Sequence, residues 1–182
     1  EVVTQAKPTI LLGLTGVSGL FNEPLIRQMA ENSERPIIFP LSNPTSNCEA
    51  VPDDLIRWTV GKAIVATGSP FPDVHYEGRQ FSVGQGNNAF VFPGIGFAAI
   101  LGRCKRISDA MIIESAFALA EYTDKHYHGL GRIFPPIKDL QQSRMFVAAK
   151  ELETALTDGT ATRTDIDGDE RVTIRDFVRS RV

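Results

Sequence analysis

Two adjacent carboxamides, Asn87 and Asn88, are the residues of this sequence whose type and placement most directly suggest chemistry. They stand between the glycine-rich residues 84–86 and an apolar run that begins at Ala89. A carboxamide offers an acceptor and two donor hydrogens without net charge, so it can bind a hydroxyl, a carboxylate or a nicotinamide. A simple turn is the alternative, because glycine and asparagine both tolerate positive φ and are common in loops.

A second segment, residues 36–46, ends in a cluster of polar side chains. Its apolar first half is bounded by prolines and predicts a short buried strand, which is followed by Ser42, Asn43 and Thr45. In open α/β sheets, ligands bind in the crevice outside the carboxyl ends of the strands. The sequence therefore predicts that Asn43 lies at a ligand-binding edge.

The elements that must position these residues alternate between strands and helices. Strands are predicted at residues 9–14, 37–41 and 63–67, with helices beginning near residues 23 and 53. This alternation is typical of βαβ units, whose right-handed crossovers bring all carboxyl ends to one edge of a parallel sheet. Asn22 is the expected cap of the first helix.

The first turn of this unit contains Gly13, Thr15 and Gly16, which are candidate cofactor-binding residues. The turn lacks the GxGxxG spacing of a dinucleotide fingerprint, so a structural turn is the alternative. After Asn88 the pattern becomes helical, over residues 93–104, 109–126 and 137–156. Ser108 is the expected cap of the middle helix. This helix has an apolar stripe that we expect to face the core, comprising Met111, Ile112, Ala116, Leu119 and Ala120.

Composition limits the classes of function. The chain has 182 residues, 42% of them hydrophobic and 23% charged, which is ordinary for a soluble globular protein. Its 19 basic and 22 acidic residues give a net charge of −3, and without a basic run nucleic acid is not the expected partner. Cys48 and Cys104 are expected to be reduced thiols in a cytoplasmic protein. No membrane segment is expected, and a start without methionine suggests a fragment.

Residues 165–176 resemble a calcium loop, with carboxylates at loop positions one, three, five and twelve. Glu170 occupies position six, where the sharp turn needs glycine, so an acidic surface connector is the alternative. His126 and His128 are separated by two positions, so on a helix they would not share a metal ion.

Several stretches together resemble the malic enzyme family, and the bacterial NAD-dependent type in particular. The matching stretches are residues 7–9, 13–21, 35–46, 66–71 and 85–94. They occur in the same order as in the family, over roughly residues 7–156. The resemblance implies an α/β fold: a partial, Rossmann-like parallel sheet with flanking helices, followed by a helical C-terminal region. Residues 1–157 would be the C-terminal part of the family's NAD-binding domain, and residues 158–182 a connector with a short helix.

The same resemblance implies an activity and its cofactors. Malic enzymes oxidise L-malate with reduction of NAD and release pyruvate and CO₂; NADP stays open, because the discriminating turn lies largely upstream. The family's tyrosine acid, lysine base and carboxylate ligands for Mg²⁺ or Mn²⁺ all lie outside the matched segment. No catalytic or metal-binding residue is therefore assigned in this chain, and the isolated chain is expected to be inactive.

The resemblance also assigns roles to individual residues. Asn43 would contact both malate and the nicotinamide, while Asn87 and Asn88 would hold malate. We expect Gly13, Thr15 and Gly16 to contact the cofactor. The complete enzyme would be a homo-oligomer that acts on L-malate without nucleic acid or membrane. A small nucleotide- or Ca²⁺-binding module without catalysis is the alternative function.

Overall fold

A computed structural model describes residues 2–127, 132–163 and 174–181. The chain divides into two compact units. The first, called the sheet unit, contains the described residues 2–87 and 132–133. The second, called the helical unit, contains the described residues 88–127, 134–163 and 174–181.

The elements of the sheet unit, in chain order, are α1 (Val2–Ala6), β1 (Ile10–Gly13), α2 (Glu23–Asn32), β2 (Ile37–Pro40), α3 (Pro52–Trp58), β3 (Ile64–Thr67), β4 (Val74–Tyr76), β5 (Arg79–Phe81) and β6 (Gly84–Gln85). Four of the strands form a parallel sheet in the order β1, β2, β3, β6. Strands β4 and β5 form a separate antiparallel hairpin. The predicted α/β class and parallel sheet are confirmed, whereas β4, β5 and β6 were not predicted because each has only two or three residues.

Local sequence signals explain where the helices of this unit begin and end. Asn22 caps α2, because its side-chain oxygen accepts a hydrogen bond from the amide of Leu25 at 3.2 Å. Helix α3 begins at a proline and carries Asp53 and Asp54 in its first turn, where acidic side chains favour the positive helix end. The chain then turns at Gly61, whose φ of +71° is readily available to glycine.

The core of the sheet unit lies on one face of the sheet. Both α2 and α3 contribute fully buried side chains that cluster with Ile38 of β2, including Ile26 and Leu55. Successive right-handed crossovers explain why both helices cover the same face. On the edge strand β1 the alternate side chains Ile10 and Leu12 are 52% and 55% exposed.

The described residues of the helical unit form four helices, one of which packs against the other three. Its elements are α4 (Phe92–Leu101), α5 (Asp109–Tyr127), α6 (Leu140–Thr157) and α7 (Ile174–Arg179), with 3₁₀ turns at Asn88–Phe90 and Ile137–Asp139. Helix α6 packs against α4, α5 and α7. The predicted cap of α5 is confirmed, because Ser108 Oγ accepts a hydrogen bond from the amide of Met111 at 3.2 Å. Among the described residues, no helix is both long and apolar enough to cross a membrane.

The apolar stripe predicted for α5 is only partly correct. Met111 and Leu119 are buried, whereas Ile112 is 52% exposed and Ala116 and Ala120 are also exposed. The two sets form neighbouring stripes at helical spacing, and both are apolar, so periodicity alone could not decide which one faces α6. The candidate calcium loop at residues 165–176 falls outside the described residues except for its last three positions.

A carboxylic acid is buried in the core of the helical unit. Glu151 of α6 is fully buried, and neither of its carboxylate oxygens has a hydrogen-bond partner within the described part of the chain. Burial, with a smaller contribution from the charge of Glu114, raises the pKa of Glu151 to about 8. Glu151 is therefore held largely protonated at neutral pH.

Replacing this acid is predicted to remove a pH dependence of stability. The pKa of Glu151 is higher in the folded state than the unfolded-state value of 4.5, so protonation of this side chain favours the folded state. This contribution to the unfolding free energy is complete below pH 4.5 and is lost as pH rises towards 8. We expect the helical unit to lose about 3 kcal/mol of unfolding free energy between about pH 5 and pH 8 through this group. Glu151→Met should abolish that loss.

Urea denaturation followed by far-ultraviolet circular dichroism at the two pH values measures the difference. Glu153→Met, at an exposed position of the same helix, is the matched control and should retain the loss. A Glu151→Met chain with unchanged pH dependence would contradict the assignment of a buried, neutral acid.

Candidate functional site

The carboxyl ends of the four parallel strands place four turns at one edge of the sheet unit. This edge, called the polar edge, consists of residues 15–19, 42–47, 68–71 and 86–87. None of these residues is Lys or Arg. Ligands that bind at the polar edge would therefore meet uncharged donors and acceptors.

A buried carboxylate joins the first two turns of the polar edge. Glu49 is fully buried, and its Oε1 accepts hydrogen bonds from the amide and the hydroxyl of Thr15, at 2.8 and 2.9 Å. The same oxygen accepts a hydrogen bond from Ser42 Oγ at 2.5 Å. Ser42 Oγ in turn accepts one from the amide of Gly16 at 2.9 Å. Glu49 thus links the turn after β1 to the turn after β2.

Gly13 leaves the space that this carboxylate occupies. A Cβ atom at Gly13 would lie 2.6 Å from the Cδ of Glu49, which is far inside van der Waals contact. Gly13 is buried, whereas Thr15 and Gly16 are exposed. Of the predicted cofactor residues in this turn, Gly13 is buried against Glu49, whereas Thr15, which donates to Glu49, and Gly16 are exposed at the polar edge.

Hydrogen bonding keeps Glu49 ionised. Burial acts to raise the pKa of Glu49, but the hydrogen bonds from Ser42 and Thr15 outweigh it and lower the pKa to about 2. The side chain therefore carries a fixed negative charge at neutral pH. Those donors remain oriented towards the charge.

Asn43 follows Ser42 at the exposed surface of the polar edge. Its Oδ1 accepts a hydrogen bond from Ser69 Oγ at 2.6 Å, which fixes the amide orientation and leaves Nδ2 as a donor. Gly68 permits this approach, because a Cβ there would overlap the Leu41 carbonyl oxygen and lie 3.0 Å from Asn43 Nδ2. The turns after β2 and β3 are thereby held in contact.

The fourth turn continues from β6. Gln85 Nε2 donates to the carbonyl of Gly68 at 3.1 Å, and the amide of Gly86 donates to the carbonyl of Thr67 at 2.9 Å. Asn87 follows directly in the sheet unit.

The structure therefore brings five predicted site residues to one sheet edge, namely Gly13, Thr15, Gly16, Asn43 and Asn87. The remaining residue, Asn88, is exposed and begins the 3₁₀ turn Asn88–Phe90 of the helical unit.

Sequence reasoning missed the buried residue that supports this edge. Glu49 belongs to none of the stretches that carry the family resemblance, whereas Gly68 and Ser69 lie in the stretch 66–71 but were not assigned a role. The available signal for Glu49 was a single acid between Cys48 and Ala50 in an otherwise apolar stretch. Such a placement is unusual, because acidic residues are rarely fully buried without partners.

Two further kinds of site, a metal centre and a cavity, bear on where ligands bind. Among the described residues, no group of three or more His, Cys, Asp or Glu side chains could hold a metal ion. A cavity of about 500 Å³ lies next to Arg35 and Lys62, which precede β2 and β3. It opens at the amino ends of the strands, opposite to the edge where parallel sheets bind ligands.

Glu49→Gln is predicted to destabilise the sheet unit. The amide is the same size but loses the charge and presents NH₂ hydrogens to existing donors, at a cost of about 2 kcal/mol or more at neutral pH. The pKa of Glu49 is lowered from 4.5 to about 2, so ionisation of this side chain favours the folded state. Its contribution to the unfolding free energy is present above pH 4.5 and is lost as pH falls from 4.5 towards 2.

Fluorescence of Trp58, the single tryptophan of the chain, reports unfolding of the sheet unit in urea. As pH falls from about 7 to about 3, the unfolding free energy of the wild-type chain should decrease by about 2 kcal/mol more than that of Glu49→Gln. Glu34→Gln, at an exposed position, is the control and should behave as wild type. Equal acid sensitivity of Glu49→Gln and wild type would contradict an ionised, buried Glu49.

Known proteins with the same sequence pattern and fold identify the family. The family profile described as "Malic enzyme, NAD binding domain" matches residues 1–156. The chain is 46% identical to an NAD-dependent malic enzyme of Acinetobacter baylyi over 161 residues, covering 88% of this chain and 28% of that protein. It is 46% identical to an NAD-dependent malic enzyme of Proteus mirabilis over 164 residues, covering 90% of this chain and 29% of that protein.

The crystal structure of Entamoeba histolytica malic enzyme superimposes with a TM-score of 0.78 at 26% identity, covering 98% of this chain and 33% of that chain. The chain thus spans roughly a third or less of the length of these relatives. Because one family profile accounts for most of the sequence and the fold agrees, the chain belongs to the malic enzyme family, within its NAD-binding domain.

Proposed function

We propose that the polar edge orients L-malate against the nicotinamide of NAD in an NAD-dependent malic enzyme. The observation that carries the proposal is the fixed carboxamide of Asn43. Ser69 holds its oxygen, and the adjacent Ser42 is anchored by the buried Glu49. The names of the bacterial relatives, all NAD-dependent malic enzymes, support both the substrate and the cofactor.

The chemistry of the donors fits the uncharged end of the cofactor. A carboxamide can pair with the carboxamide of nicotinamide, and with the hydroxyl or a carboxylate of malate. The polar edge has no Lys or Arg to neutralise a pyrophosphate. We therefore assign the nicotinamide end to Asn43 and the turn of Gly13, Thr15 and Gly16, and the pyrophosphate to residues elsewhere in the complete enzyme.

The reaction requires close alignment of malate and cofactor. The C2–H bond of malate breaks as hydride moves to the nicotinamide ring, and the hydroxyl proton leaves to a base. The resulting oxo acid loses its C4 carboxylate as CO₂, and protonation of the enol at C3 yields pyruvate. Holding the two reactants at short range supplies much of the rate advantage of such a transfer.

In this proposal Asn43, Asn87 and Asn88 hold malate through neutral hydrogen bonds. Mg²⁺ or Mn²⁺, when bound in the complete enzyme, would polarise the C2 oxygen. By the family resemblance, its ligands, the base and the acid are assigned to the part of the enzyme outside this chain. The complete enzyme would act as a cytoplasmic homo-oligomer, and the isolated chain would not turn over malate.

A chimeric enzyme tests the proposed activity. Residues 1–156 of this chain would replace the matched segment of the Acinetobacter baylyi enzyme. We expect malate-dependent formation of NADH that requires Mg²⁺ or Mn²⁺ and is faster with NAD than with NADP, measured by NADH absorbance. A folded chimera that binds malate and NAD but forms no NADH would oppose the proposal.

Substitution of the carboxamides tests their roles. In the chimera, Asn43→Ala and Asn88→Ala should each lower kcat/KM for malate at least about tenfold, because a lost hydrogen bond at a desolvated site costs about 1 to 3 kcal/mol. Asn32→Ala, at the end of α2 and outside the polar edge, is the matched control, and its kcat/KM should stay within about twofold. Unchanged kinetics of both site variants would refute the assignment.

A further inference from the structure

The helical unit contains a cavity with a strong excess of positive charge. The cavity measures about 310 Å³ and is bordered by α5, α6 and α7. Lys125 and His126 of α5 line it, as do Arg175 and Arg179 of α7. Among the described residues that line this basic cavity, none is acidic. The excess is local, because the whole chain carries a net charge of −3.

Among the described residues, the lysine and arginine side chains of the basic cavity are not paired with neighbouring acids. Within the described part of the chain, no carboxylate forms an ion pair with Lys125, Arg175 or Arg179. The nearby acid Glu121 of α5 instead pairs with Lys150, at 3.2 Å. Like charges that share a cavity repel one another, and a bound anion would convert that repulsion into attraction.

Neighbouring aromatic rings order the groups that line the cavity. The ring of His126 stacks on Tyr122 with centroids 4.3 Å apart, and its Nδ1 donates to the Tyr122 carbonyl at 2.8 Å. His126 Nε2 is therefore the ring nitrogen left for a ligand. The Arg175 guanidinium lies 5.2 Å from the ring centroid of the buried Phe146. Gln142 accepts from the Tyr122 hydroxyl at 3.4 Å, which leaves its amide hydrogens as neutral donors.

A helix dipole explains only part of this cluster. Lys125 and His126 lie in the last turn of α5, where positive side chains favour the negative helix end. Arg175 and Arg179 belong to a different helix, and one turn separates them along α7, so both can line the same cavity. The dipole of α5 gives no reason for this convergence.

We propose that the basic cavity binds a small polyanion that carries two or three phosphate or carboxylate groups. Arginine forms paired hydrogen bonds with such groups, and lysine adds a compact positive charge. The volume is at the lower limit of small-molecule sites, which suits a compact metabolite better than a dinucleotide. The bound anion would connect α7 to α5, and this role is separate from malate turnover at the polar edge.

Titration of the 182-residue chain with sodium pyrophosphate and with citrate, at matched ionic strength in chloride, tests the site. Calorimetry should show saturable binding with one ligand per chain. The ring proton signals of His126 should shift in nuclear magnetic resonance spectra as the site fills. Tighter pyrophosphate binding would identify a phosphate ligand, and tighter citrate binding a polycarboxylate.

Charge-removing variants separate a specific site from general attraction. Lys125→Gln and Arg179→Gln should each weaken binding several-fold, and Lys125→Gln combined with Arg175→Gln at least about tenfold. Lys105→Gln removes one exposed charge elsewhere in the helical unit and should change affinity less than about twofold. Because Lys125 is on α5, it tests the site even if substitutions in α7 disturb that helix.

Two results would overturn the proposal. The first is heat that does not saturate with either anion. The second is an equal loss of affinity in Lys105→Gln and the cavity variants, which would show attraction by net charge alone.

Discussion

The hydrogen bonds that converge on the buried carboxylate of Glu49 are the interaction on which the polar edge depends. They connect the turn after β1 to the turn after β2, and Gly13 makes them possible by leaving room for the carboxylate. Gly68 and Ser69 extend the connection to β3 and fix the amide of Asn43. A proposed ligand-binding carboxamide at the surface is therefore positioned by an ionised group beneath it.

Two fully buried glutamates show how environment decides charge. Glu49 is surrounded by donors, and its pKa is lowered to about 2. Glu151 has no hydrogen-bond partner among the described residues, and burial raises its pKa to about 8. The same side chain is thus an anion in the sheet unit and a largely neutral acid in the helical unit, because the hydrogen bonds to Glu49 offset a desolvation cost that is not offset at Glu151.

The two units also differ in the ligands that their surfaces suit. The polar edge offers neutral amides and hydroxyls, which suit the proposed malate and nicotinamide ligands. The basic cavity gathers cations from α5 and α7, which suit a polyanion. A single chain with a small net charge therefore presents two chemically distinct surfaces. Net charge alone could not have indicated either of them.

The sequence by itself determined the features that depend on neighbouring residues. A short stretch of sequence was enough to predict the strands, the helix caps at Asn22 and Ser108, and the family motifs around Asn43 and Asn88. Only the tertiary structure decided which apolar stripe of α5 is buried. It also placed Glu49 beneath Thr15, a residue 34 positions away. The physical reason is that burial and hydrogen-bond partners come from residues distant in the chain, which local pattern does not specify.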